Sequence, residues 1–76
     1  MAPVARYKQI AAILRARIES GDLEPGQTVP SEPTLMQEFG VARNTVRHAI
    51  EVLRQAGLVT TVPGMGTYVS KPDAGA

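Results

Sequence analysis

From Arg43 onward the chain reads Arg-Asn-Thr-Val-Arg-His-Ala-Ile-Glu-Val-Leu-Arg-Gln-Ala before Gly57. At about 100° per residue, with Arg43 as zero, Val46, Ala49, Ile50 and Leu53 fall between roughly 240° and 340°. On the same wheel Arg43, Asn44, Arg47, His48, Glu51 and Arg54 fall between about 0° and 140°. One face is dry, the other polar and mostly basic. The polar face leads with Arg43, Asn44 and Arg47, side chains that make two parallel hydrogen bonds at once, arginine to guanine O6 and N7, asparagine to adenine N6 and N7. A helix that presents such groups at its N-terminal end suits a DNA major groove about 12 Å wide.

Such a helix needs a platform, and the preceding residues predict one. Between Val4 and Ser20 the residues Ile10, Ile13, Leu14 and Ile18 recur at helical spacing, with Arg6, Gln9, Arg15, Arg17 and Glu19 on other faces. Gly21 ends this first helix, and Asp22-Leu23-Glu24-Pro25-Gly26 reads as a turn. Gln27-Thr28-Val29 suffices only for an edge strand. Ser31 is an N-cap, Pro33 is tolerated in the first turn, and Leu35, Met36 and Phe39 form the inner face of a short helix stopped by Gly40. Only Val41 and Ala42 separate that stop from the basic helix. Beyond Gly57, the β-branched runs Leu58–Val62 and Thr67–Val69 flank Pro63-Gly64-Met65-Gly66, whose glycines permit a tight reversal. The expected fold is mainly α with a small β-hairpin, a three-helix winged helix-turn-helix. One domain is expected over residues 1–70, with the helix-turn-helix at about 31–56, the wing at about 58–70, and 71–76 a disordered tail or the start of a linker.

Composition narrows the remaining function classes. Seventy-six residues make a single small domain. With no cysteine, disulfides and thiolate metal sites are excluded, and a reducing compartment such as the cytoplasm is the easier home. One histidine and seven carboxylates predict no metal site and no cofactor. Charges interrupt every apolar run, so no membrane span is expected. No paired carboxylates, nucleophile or phosphate-cradling glycine loop is evident, which argues against an enzyme. The net charge is +1, unevenly spread. Residues 1–40 set Arg6, Lys8, Arg15 and Arg17 against Glu19, Asp22, Glu24, Glu32 and Glu38, whereas residues 41–71 set Arg43, Arg47, Arg54 and Lys71 against Glu51 alone.

The stretches Tyr7-Lys8-Gln9-Ile10-Ala11, Gly21-Asp22-Leu23-Glu24-Pro25-Gly26, Pro30-Ser31-Glu32, Phe39-Gly40-Val41-Ala42-Arg43-Asn44-Thr45-Val46-Arg47, Gly57-Leu58-Val59 and Gly64-Met65-Gly66-Thr67-Tyr68-Val69 together resemble the winged-helix DNA-binding domain of the GntR family of bacterial transcription regulators. The resemblance runs from Tyr7 to Val69. It implies a double-stranded DNA operator, read by a homodimer on an inverted repeat with GT and AC half-sites, and regulation that is usually repression. It implies base or phosphate contacts from Arg43 and Arg47 with Asn44 and Thr45 beside them, and contacts in some members from Glu32, Arg6 beside Tyr7, and Gly64. Two positions depart from the pattern: Pro33 stands where many members have an arginine that touches the operator, and Ala42 replaces the usual Ser or Thr. The family's effector-binding and dimerisation domain follows the wing, so no small-molecule effector site is expected within this chain, which is either one domain of a longer regulator or a minimal member.

Several residues admit a second role. Arg47 has Glu51 four positions on for a surface ion pair worth a few tenths of a kcal/mol. Asn44 and Thr45 suit backbone capping, Glu32 suits the positive end of a helix dipole, and His48 reads as an inert surface histidine. Arg6 and Tyr7 also serve simply to flank the core. Leu35, Phe39, Ile50, Leu53 and Val59 read as core, with Phe39→Ala costing about 3–5 kcal/mol. The competing function is a winged-helix protein–protein interaction module, which calls for exposed apolar side chains on the third helix where this chain has Arg, Asn, Arg, His, Glu and Arg.

Overall fold

A computed structural model describes residues 4–71; the expected tail at 71–76 lies outside them except for Lys71. Three helices, α1 (Arg6–Ser20), α2 (Glu32–Phe39) and α3 (Arg43–Gln55), precede strands β1 (Val59–Val62) and β2 (Gly66–Val69). The order is the one expected for a winged helix-turn-helix.

The first helix starts at Arg6 rather than Val4: Ala5 at its N-cap has ψ 144°, outside the helical region, and offers no side-chain acceptor. Ile10, Ala11 and Leu14 are its buried residues. Ile13 is 43% exposed, although the helical spacing groups it with them. Its position lies about 60° to one side of Ile10, whereas Leu14, Ile18 and Ala11 lie to the other, so Ile13 falls at the rim of the buried stripe.

Ser31 caps α2 as expected, its Oγ accepting from Thr34 N at 3.4 Å while its carbonyl accepts from Leu35 N at 2.9 Å. Gly40 ends α2 in the left-handed region at φ 63°, a conformation that turns the chain directly into α3 and that a Cβ disfavours. At the head of α3, Ala42 supplies only its carbonyl, to Thr45 N and Val46 N, and no side-chain cap. Ala42→Ser is therefore expected to stabilise the domain by about 0.5–1 kcal/mol and raise its melting temperature by about 3–6 °C in a thermal scan followed by circular dichroism.

In the hairpin Val59 pairs with Val69 and Val62 with Gly66, antiparallel. The short segment Gln27–Val29 joins the outer side of β2: Val29 N donates to Thr67 O and Val69 N to Gln27 O, each at 2.8 Å. The edge strand between α1 and α2 thus anchors the wing.

One core runs through all the elements, built from Ile10, Ala11, Leu14, Leu23, Val29, Leu35, Val46, Ala49, Leu53, Val59 and Val69. Leu35, Leu53 and Val59 are buried as expected. Phe39 and Ile50 are only half-buried and pack on the margin of the core. Phe39 is the last residue of α2, where one side of its ring faces the Arg17 guanidinium, 5.7 Å from the ring centroid, instead of apolar side chains. Arg17 also pairs with Glu38, and hydrogen bonding to that carboxylate raises the guanidinium pKa and lowers the acid's.

Candidate nucleic-acid interface

The turn at Gly40 points α3 so that Val46, Ala49 and Leu53 enter the core and the opposite face stays in solvent. Arg43, Asn44, Arg47 and His48 on that face are exposed, and Thr45 is half-buried. Arg43 and Arg47 lie one turn apart, and α2 brings a carboxylate to both of them. Glu32 Oε2 accepts from Arg47 Nε at 3.0 Å, and Oε1 lies 3.6 Å from Arg43 Nε, an ion-pair rather than a hydrogen-bond distance. Glu32 thus does more than complement the α2 dipole.

The suggested pair of Arg47 with Glu51 is absent. Glu51 instead accepts from Arg54 Nε at 2.8 Å and from Gln55 Nε2 at 2.9 Å. Hydrogen bonding to Arg54 first, and to Gln55 second, holds the Glu51 carboxyl well below the usual carboxylate range, at about 2. The basic face therefore has two parts: a first turn whose arginines share Glu32, and a last turn in which Arg54 is neutralised by its own helix.

The other expected residues surround this face. Tyr7 is half-buried and stacks its ring on the His48 imidazole, centroids 3.6 Å apart and planes 6° from parallel. The histidine read as inert thus ties α1 to α3. Arg6 donates from Nη2 to the Phe39 carbonyl at 2.9 Å and from Nη1 to Gln9 Oε1 at 3.2 Å, satisfying a carbonyl left over at the end of α2. Gly64 sits in the wing turn at φ 77°, with open space where a Cβ would stand, so the backbone conformation alone favours glycine. Met65, next to it at the tip, is 69% exposed.

Between α3 and the wing runs an open groove of about 780 Å³. Arg47, Glu51 and Arg54 line one wall, and Thr60, Thr61, Thr67 and Ser70 the other. Sequence reasoning missed these hydroxyls because threonine reads first as a strand former; the clustering of Thr60, Thr61, Thr67 and Ser70 in the hairpin was the signal available. Among the described residues no cluster of His, Asp or Glu is arranged to hold a metal, and no helix is long and apolar enough to cross a membrane.

A capped short helix, a glycine turn, a helix with an exposed hydrogen-bonding face and a hairpin beside it make this a winged helix-turn-helix DNA-binding domain. Residues 6–69 match the bacterial regulatory proteins of the gntR family, and the chain belongs to that family. Over 70 residues it is 41% identical to the transcriptional repressor NagR of Bacillus subtilis, covering 92% of this chain and 29% of the relative. Over 65 residues it is 43% identical to MngR, a mannosyl-D-glycerate transport and metabolism system repressor of Escherichia coli, covering 86% of this chain and 27% of that one. The chain thus spans less than a third of the length of these curated relatives. Among solved structures, the AraR DNA-binding domain in complex with operator ORR3 superposes with a TM-score of 0.83 at 37% identity, covering 92% of each chain. The same domain with operator ORE1 gives 0.87 at 40% identity, covering 90% of this chain and 83% of that one.

Proposed function

We propose that residues 1–70 are the operator-reading domain of a bacterial transcription repressor, binding double-stranded DNA sequence-specifically with α3 in the major groove and the wing at the adjacent minor groove. The observation that carries this reading is the exposed first turn of α3, where Arg43, Asn44 and Arg47 stand clear of the core on a fold whose solved likenesses include complexes with operators. Arg43 and Arg47 read base edges and phosphates, helped by Asn44 and Thr45. Glu32, Arg6, Tyr7 and Gly64 lie along the flanks of the same contact. Two copies bind an inverted repeat with GT and AC half-sites, about one helical turn apart. Repression follows the names of the relatives NagR and MngR. The chain catalyses no reaction.

The protein-docking alternative calls for apolar side chains on the exposed face of α3. Among the described residues the large apolar side chains that are exposed are Val4, Ile13, Val52 and Met65. Of these only Val52 belongs to α3, at about 180° on the wheel and therefore outside the arc of the basic face.

The test is a fluorescence anisotropy titration of a duplex carrying a GT-to-AC inverted repeat beside a scrambled duplex of equal composition, at two salt concentrations. The expected result is preference for the repeat, with both affinities falling as salt rises by about one log–log unit per neutralised phosphate. A folded protein that binds neither duplex overturns the reading in favour of a protein partner.

A further inference from the structure

We infer that Glu32 determines specificity by bracing the two reading arginines: its carboxylate orders them for guanine and penalises any nucleic-acid surface that offers it no hydrogen-bond donor. This deepens the DNA-binding reading above and rests on it.

Arg43 and Arg47 are like charges four residues apart on one helix face, a pairing that repels when nothing intervenes. Glu32, brought in from α2, faces each with a different carboxylate oxygen, at 3.6 Å and 3.0 Å. In both contacts the arginine atom is Nε. A guanidinium has five N–H donors, and this approach engages its Nε edge while leaving the Nη1 and Nη2 end, a pair of donors suited to guanine O6 and N7. The Arg43, Arg47 and Glu32 side chains are 56%, 60% and 38% exposed, so the brace stands on the surface that DNA meets.

The consequence for selectivity follows from sign and from donor count. The three side chains together carry one positive charge where two arginines alone would carry two. A phosphate approaching either arginine also meets the carboxylate, which weakens sequence-independent binding. Within the major groove a carboxylate accepts well from the N4 amino group of cytosine and can accept from the N6 amino group of adenine, whereas guanine O6 and N7 and thymine O4 set acceptor against acceptor. A site that offers guanine to the arginines and an amino group, cytosine N4 or adenine N6, to Glu32 satisfies all three groups, and a site that sets guanine or thymine against Glu32 leaves it opposed.

The experiment uses the 76-residue chain, a duplex it selects from a random pool and a random-sequence duplex of equal length, titrated by anisotropy between 50 and 300 mM salt, on the order of the range over which counterion release is read. Glu32→Gln is expected to bind the random duplex about five- to tenfold tighter near 0.1 M salt, with a log–log slope steeper by about 0.9. Its preference for the selected duplex over the random one is expected to fall by at least the same factor. Glu32→Asp, which keeps the charge, is expected to retain the wild-type slope, and circular dichroism on both variants verifies the fold. Random-duplex affinity and slope that stay unchanged in Glu32→Gln, or a parallel weakening on both duplexes, overturns the inference while leaving the DNA-binding reading intact. A wild-type chain that selects no sequence overturns both.

Discussion

Arg43→Ala is expected to cost about 1–3 kcal/mol of operator binding, roughly a 5- to 150-fold loss, and to relax preference at a single base pair. The side chain stands at the first position of α3, more than half exposed, with the Nε edge toward Glu32 at 3.6 Å. In the proposed complex, truncation removes a two-point contact to a base, whose partner acceptors then face water or nothing. It also leaves Glu32 to Arg47 alone, with which it already forms the shorter contact of 3.0 Å. Random DNA loses only one cation, so its affinity falls less and its salt slope becomes shallower by about 0.9. Anisotropy titrations on the selected duplex, on a set of single-base variants of it and on random DNA make the comparison. Equal weakening on selected and random DNA would show that Arg43 touches phosphate and reads no base.

For stability the largest effect is expected at the centre of the helical core. Leu14 is fully buried in the face that α1 turns inward, and its truncation to alanine is expected to remove about 2–5 kcal/mol. A domain of this length has a total of only about 4–11 kcal/mol, so Leu14→Ala leaves it close to half unfolded or worse at elevated temperature. Phe39→Ala, which sequence reasoning ranked at about 3–5 kcal/mol, is expected to fall below Leu14→Ala, because the ring is half-buried and one side faces Arg17 rather than apolar atoms. Urea denaturation of both variants, with slopes checked for equality, gives the ranking. A Phe39→Ala midpoint as low as that of Leu14→Ala would contradict it.

The difference between Leu14 and Phe39 shows which parts of this molecule were legible in the chain. Ser31, Gly40 and the two faces of α3 were, because capping, left-handed termination and a helical wheel depend on residues within one or two turns of each other. Gln27–Val29 was legible as an edge strand, although not as the partner of β2. Ile13 and Phe39 were misplaced for the same reason as each other. Periodicity identifies the side of a helix that turns inward but not where the neighbouring elements stop covering it.

The site divides in the same way. Arg43, Asn44 and Arg47 follow from residue type and spacing on one helix. The Glu32–Arg47 contact joins residues 15 apart, and Arg6 reaches the Phe39 carbonyl across 33. Tyr7 finds His48 only because α1 packs along α3. No local rule pairs such residues, and the local rule that was available, an i,i+4 ion pair from Arg47 to Glu51, lost to Arg54 and Gln55, both nearer the end of the helix.

The two backbone hydrogen bonds that hold Gln27–Val29 against β2 also close a loop containing both α2 and α3. Closing so long a loop costs chain entropy before its contacts are rewarded, which makes that pairing a late event in folding. During synthesis, strand β2 is the last of these elements to leave the ribosome, so the segment leading into Ser31 and Glu32 lacks its lateral partner until then. The nascent polypeptide thus carries Arg43 and Arg47 before the lateral support of the segment leading into Ser31 and Glu32 is in place, and the complete winged helix-turn-helix arrives with β2 rather than with α3.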